Sequence, residues 1–144
     1  MNKALLDTDI YSEVAKGIDP LVVENPLAYR RTHKCLTLSV ISVMEVVQGY
    51  QRIEASAKIQ KFCRALEAEE ILFFDAKAAV LAGEITGKLY RIGRPIGRCD
   101  PMIAAVAIVH QLELVTGNIS DYQRLIPLGY SLTLVNWRTR INRP

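Results

Sequence analysis

The chain has 144 residues, half of them apolar and 23% charged, with a formal net charge of +3. That balance excludes a disordered or fibrous chain and fits one globular domain over residues 1–144 with a single core. Three cysteines, Cys35, Cys63 and Cys99, have no paired or metal-type spacing, which excludes a disulfide scaffold and fits a reduced, cytoplasmic chain.

Ala4-Leu5-Leu6 reads as a short buried strand that runs straight into Asp7-Thr8-Asp9. Residues 10–16 form a short helix that Gly17 can stop. Residues 19–32 hold Pro20 and Pro26 and read as a looser segment with one helical turn. Leu36-Thr37-Leu38 is a second strand, and Ser42-Val43-Met44-Glu45 opens a helix that runs towards Gly49 or Tyr50. Residues 55–69 carry a helical stripe of Ile59, Phe62, Cys63 and Leu66, read as core in preference to a dimer face.

Residues 71–74 form a compact apolar strand. Asp75 caps a long helix reaching about Ile92, with Ala79, Val80, Leu81, Ile85 and Leu89 on its inner face. Residues 93–97, with Pro95 and two glycines, form a loop, and Pro101 starts a helix over 102–110. That helix is apolar nearly all round, which marks it as central and buried. Residues 112–115 are another strand, 118–125 a turn or short helix, and 132–137 a last strand. Strands alternating with helices define an α/β fold with a mostly parallel central sheet flanked by helices. The N-terminus has no signal-peptide core, and the apolar run over 102–109 is too short to span a bilayer, so no membrane association is expected.

Four carboxylates sit where apolar runs end or helices begin: Asp7, Glu45, Asp100 and Asp121. Open α/β sheets place their sites at the carboxyl ends of the strands, which is where this fold would gather these residues. Converging carboxylates repel by up to ~4 kcal/mol per close pair at an effective dielectric near 20. A hard divalent cation with oxygen ligands is the usual answer to that repulsion. Each residue also has a local reading. Asp9 is a natural N-cap, Ser42-x-x-Glu45 matches a capping box, and Asp100-Pro101 matches a cap followed by its favoured proline. Asp121 lies in an ordinary polar loop.

Arg91, Arg94 and Arg98 cluster before Asp100, while Arg138, Arg140 and Arg143 crowd the C-terminus. Arginines beside an acidic metal pocket suit a phosphate-bearing substrate, with Arg98 and Arg94 read either as gripping it or as solvated surface charge. The C-terminal group reads as solvated surface. Cys99 has no neighbouring histidine to activate it and reads as an apolar filler.

The joint order of four stretches resembles the PIN-domain ribonucleases, and among them the VapC-type toxins of toxin–antitoxin pairs. Leu5-Leu6-Asp7-Thr8-Asp9-Ile10 looks like the family's first strand and aspartate. The stretch from Ser39 to Gly49, Ser-Val-Ile-Ser-Val-Met-Glu-Val-Val-Gln-Gly, is similar to the segment that presents its glutamate. Asp100 with the Ile-Ala-x-x-Ala helix, and Thr116-x-Asn118-x-x-Asp121-Tyr122, resemble the third and fourth signatures. Many members have an acidic residue where this chain has Asn118, so Asp121 and Asn118 compete for the fourth place.

The resemblance implies a single PIN-like nuclease domain that hydrolyses RNA phosphodiester bonds. It implies one or two Mg²⁺ or Mn²⁺ ions on Asp7, Glu45, Asp100 and Asp121, with Thr116, Asn118 and Arg98 orienting or binding substrate. It also implies a small antitoxin partner and a homodimer. Two rivals remain. Asp7-Thr8-Asp9 after an apolar strand resembles the nucleophile and acid pair of haloacid-dehalogenase-type phosphatases. A non-catalytic module of the PIN fold would use the carboxylates as caps alone.

Overall fold

Alternation of side chains along very short strands decides the layering of this molecule. The computed structural model describes residues 1–139. Strand β1 (Ala4–Leu6) pairs in parallel with β4 (Glu113–Val115), which pairs in parallel with β5 (Leu134–Val135). In register, Leu5 faces Leu114 and both enter one apolar cluster, whereas Leu6 and Val115 enter another. A side-chain period of two therefore gives the sheet two buried faces. Strands β2 (Thr37–Ser39) and β3 (Glu70–Leu72) form a second parallel pair beside β1. The buried Tyr29 hydroxyl bridges the seam, accepting the Ala4 amide and donating to the Ala4 carbonyl (both 3.1 Å), with Thr37 Oγ1 3.4 Å away.

One face is covered by α5 (Ala76–Arg91) and α6 (Asp100–Val109). The other is covered by α1 (Thr8–Lys16), α2 (Pro20–His33), α3 (Val40–Arg52) and α4 (Ser56–Leu66). After β4 come a one-turn α7 (Ile119–Tyr122) and a 3₁₀ segment (Gln123–Leu128). The parallel sheet with helices on both faces is the expected architecture. Among the described residues no helix is long and apolar enough to cross a membrane.

Several local expectations are corrected. The segment read as loose, residues 19–32, is a complete helix. Asp19 caps it through the Leu21 and Val22 amides, and Pro20 stands in the first turn, where its missing N–H costs nothing. Pro26 lies inside α2, but Val22, Pro26 and Tyr29 follow helical spacing and are buried, and that burial outweighs the lost hydrogen bond. Helix α5 turns Ala78, Ala82, Ile85 and Leu89 inward, leaving Ala79 and Val80 exposed. In α4 Phe62 is buried and Leu66 packs against the core, whereas Cys63 is exposed. Strand β3 ends at Leu72, and Phe73, expected in that strand, is exposed. The Asp75 cap and the Gly17 stop are present, the latter in a left-handed conformation (φ 64°).

Candidate active site at the strand ends

Asp7 leaves β1 with its amide still bonded to the Val115 carbonyl (2.9 Å), so its carboxylate is delivered to the carboxyl edge of the sheet. The side chain is buried, with 4% exposure. Its Oδ1 accepts the Thr8 amide (2.8 Å), and its Oδ2 accepts the hydroxyl of buried Thr116 (2.8 Å). Thr116 directly follows β4 as Asp7 directly follows β1, so the two parallel strands place donor and acceptor opposite each other. The Thr116 hydroxyl in turn accepts the Asn118 amide (3.0 Å), which shapes the following turn.

Asn118 then spans two carboxylates. Its Nδ2 donates to Asp100 Oδ2 (3.3 Å) and to Asp121 Oδ2 (3.1 Å). Asn118 and Asp121 thus stand side by side, with the amide bridging Asp121 to Asp100. Tyr122, fully buried, donates its hydroxyl to Asp100 Oδ1 (3.4 Å). Glu45 is held from another side, its Oε1 accepting the Thr8 hydroxyl (2.6 Å).

The caps differ from those the sequence offered, and among the four carboxylates only Asp7 serves as one. Helix α3 is capped by Ser39, whose hydroxyl accepts the Ser42 amide (3.1 Å), so Glu45 has no part in a capping box. Cys99 is the residue before α6, and Asp100 is its first helical residue. The cap of α1 is Asp7, not Asp9. Asp9 instead points across the molecule: its Oδ2 accepts the Gly117 amide (3.0 Å) and an Arg138 N–H (3.1 Å).

Arg138 also pairs with Glu13. Of the C-terminal arginines, Arg140 and Arg143 lie outside the described residues, but Arg138 is no free surface charge. The preceding Trp137 is buried, and its carbonyl accepts the Asn25 side chain (3.1 Å), which fixes where Arg138 starts. The guanidinium lies against Gly117, where a Cβ would stand 1.7 Å from Arg138 Nη1 and displace it. Arg138→Ala is expected to lower stability by about 1 kcal/mol, a modest value because the pair is partly solvated. A urea midpoint equal to that of the unaltered chain would show that the contact contributes nothing.

Electrostatically the cluster is short of positive charge. Burial pushes the Asp7 carboxyl up to about 7, with the charges of Asp9 and Asp100 adding to it. Asp100 is also raised, by burial first and then by Glu45 and Asp121. Burial first, and then Glu45 and Asp100, raise the Cys99 thiol, which packs against the core. Among the described residues, none of the ion pairs involves Asp7, Glu45 or Asp100. Asp121 is paired with Arg124 (3.3 Å).

Also among the described residues, no three Asp, Glu, His or Cys side chains converge as a closed ligand set. Thr8, Thr116, Asn118 and Tyr122 instead hold the carboxylates in turn. All the donors here are hard oxygens in an anionic pocket, which suits Mg²⁺ or Mn²⁺ and not a soft metal. Sequence reasoning named Thr116 and Asn118 but missed Thr8, Tyr122, Arg124 and Arg138. A hydroxyl directly after Asp7 was the available signal for Thr8. Arg98 is exposed on the loop before Asp100 and touches none of the carboxylates through a hydrogen bond.

A parallel α/β sheet with acidic residues gathered where β1 and β4 end defines a PIN-type nuclease fold. Comparison with known proteins agrees. The chain is 31% identical over 129 residues to the tRNA(fMet)-specific endonuclease VapC of Shigella flexneri, covering 87% of this chain and 93% of the relative. It is 32% identical over 134 residues to ribonuclease VapC2 of Rickettsia felis, covering 92% and 96%. The crystal structure of DNA-bound VapBC from Salmonella typhimurium superposes with a TM-score of 0.78 at 28% identity, over 95% of this chain and 99% of that one. No model of a known protein family matches. The chain belongs to the VapC family of ribonucleases.

Proposed function

We propose that this chain is a Mg²⁺- or Mn²⁺-dependent endoribonuclease that hydrolyses RNA phosphodiester bonds, acting as the toxin of a toxin–antitoxin pair. One observation carries the reading: carboxylates from four separate elements line one strand edge, connected through Thr8, Thr116 and Asn118, and among the described residues no cationic side chain pairs with Asp7, Glu45 or Asp100. A divalent cation, when bound, supplies Lewis acidity that activates water and neutralises phosphate charge. Asp7, Glu45, Asp100 and Asp121 are the residues that would hold it. Thr116 and Thr8 orient Asp7 and Glu45, and the buried Tyr122 fixes Asp100. Asn118 ties Asp121 to the cluster, and Arg124 pairs with its other oxygen. The partners that family membership implies are a small antitoxin and a second copy of this chain.

The phosphatase rival needs Asp9 free as an acid, but Asp9 is engaged by Gly117 and Arg138. The non-catalytic rival needs the carboxylates as caps, and for Glu45 and Asp100 other residues precede their helices. The test is cleavage of single-stranded RNA and of tRNA(fMet), the RNA in the Shigella flexneri relative's name, with Mg²⁺, Mn²⁺ or EDTA. Cleavage with either metal and none in EDTA is expected, together with a rise in melting temperature on adding metal. Neither cleavage nor stabilisation at millimolar metal would return the reading to a non-catalytic module.

A further inference from the structure

A pocket of about 400 Å³ opens beside Asp100, apart from the carboxylate cluster. Its floor is apolar, made by Leu89 of α5, Ile96, and Pro101 and Met102 at the start of α6. Tyr90 and Arg98 line its rim. Tyr90 is 68% exposed, so its ring contributes little to the core, and among the described residues it stacks on no other aromatic ring. Arg98, with Arg91 and Arg94 nearby, is exposed, and none of these three appears in an ion pair among the described residues.

The pocket and the carboxylates share a wall. The Gly97 carbonyl accepts the Asp100 amide (3.2 Å), and a Cβ at Gly97 would lie 2.8 Å from Asp100 Oδ2. Arg124 ties the two together, donating to the Pro95 carbonyl (3.0 Å) while pairing with Asp121. Whatever enters the pocket is therefore held at a fixed offset from Asp100.

We propose that this pocket receives a nucleobase of single-stranded RNA adjoining the scissile phosphodiester, with Tyr90 stacked on the base and Arg98 against the neighbouring phosphate. The assignment rests on the ribonuclease reading given above. An apolar floor with an aromatic rim accepts the face of any base, and a free arginine beside it matches a polyanion. The volume lies within the ~300–1,000 Å³ of small-ligand sites. A base paired in a duplex is stacked and cannot enter, so the pocket selects unpaired segments.

The test is fluorescence anisotropy in EDTA with labelled oligouridine and an abasic ribose-phosphate chain of equal length. The proteins compared are the full chain, Tyr90→Ala, Tyr90→Trp and Arg98→Ala. Tyr90→Ala is expected to bind oligouridine roughly tenfold more weakly and the abasic chain unchanged, with Tyr90→Trp restoring affinity. Arg98→Ala should weaken both ligands and lower the salt dependence. Wild-type affinity of Tyr90→Ala for oligouridine, equal binding of the two ligands by the unaltered chain, or no RNA binding at all overturns the proposal. Tyr90-dependent binding without cleavage in Mg²⁺ or Mn²⁺ would uphold the base pocket and remove the nuclease reading. Cleavage with an unchanged KM and an unchanged oligouridine affinity in Tyr90→Ala would do the reverse.

Discussion

Asp7→Asn is expected to fold and to lose RNA-cleaving activity by at least about 100-fold at saturating Mg²⁺, and Asp100→Asn should do the same. Replacing groups that merely support a metal ligand costs ~10–100-fold, and a proposed ligand should cost no less. The amide keeps the shape of the carboxylate, so its one remaining oxygen can still accept either the Thr8 amide or the Thr116 hydroxyl. The variant loses the other of those two hydrogen bonds, about 1 kcal/mol, and also the desolvation penalty of a buried charge. The balance leaves a folded protein with a weakened cation site. Rate measurements beside thermal melts separate the two effects. Wild-type rates in either variant would remove that residue from the site.

The second large effect is on stability against pH in the absence of divalent metal. Asp7 is held at about 7 in the folded chain, against 3.8 for an unperturbed carboxyl. Between those values the folded state binds more protons than the unfolded one, so stability falls as pH rises from about 4 to about 7. The fall attributable to Asp7 is on the order of 4 kcal/mol, and Asp100, also raised, acts in the same direction. Glu70, lowered by its hydrogen bonds to Lys3 and Thr37, acts oppositely but is partly exposed. Urea denaturation of the unaltered chain and of Asp7→Asn across this window isolates the contribution of Asp7. The variant should show the flatter profile and be the more stable of the two near neutral pH. Mg²⁺ should restore the unaltered chain, since a cation binds the ionised carboxylates. Parallel profiles in EDTA would show that Asp7 is not short of charge.

Both effects trace to one circumstance: among the described residues, buried Asp7 and half-buried Glu45 and Asp100 are held only by hydroxyls and amides. Arginine does reach the rim, at Asp9 through Arg138 and at Asp121 through Arg124. The centre is left for an exogenous cation in the proposed mechanism.

Much of the fold was legible because it is local. Ala4-Leu5-Leu6 and Leu114-Val115 are apolar runs ending in polar residues, and each became a strand that stops where expected. Asp75 before an alternating stripe became a cap, and the all-apolar stretch after Pro101 became the buried α6. Helix α2 was misread because the two prolines were weighed without the Val22, Pro26, Tyr29 spacing that buries them. The faces of α5 were misread because Ala79 and Val80 are as apolar as Ala78 and Ala82, and hydropathy alone cannot rank them.

By itself the sequence determined the strand–helix alternation, the parallel sheet and the order of Asp7, Glu45, Asp100 and Asp121 along it. Those follow from apolar periodicity and from short motifs, both readable within a few residues. Only the tertiary structure decided which carboxylates cap helices and which face one another. Asp9 looked like a cap and proved to anchor Gly117 and Arg138, while Glu45 lost its box to Ser39 and turned to Thr8. The physical reason is that a carboxylate takes its role from the donors that reach it. Here those donors arrive from the ends of other strands and helices, at positions that no local spacing records.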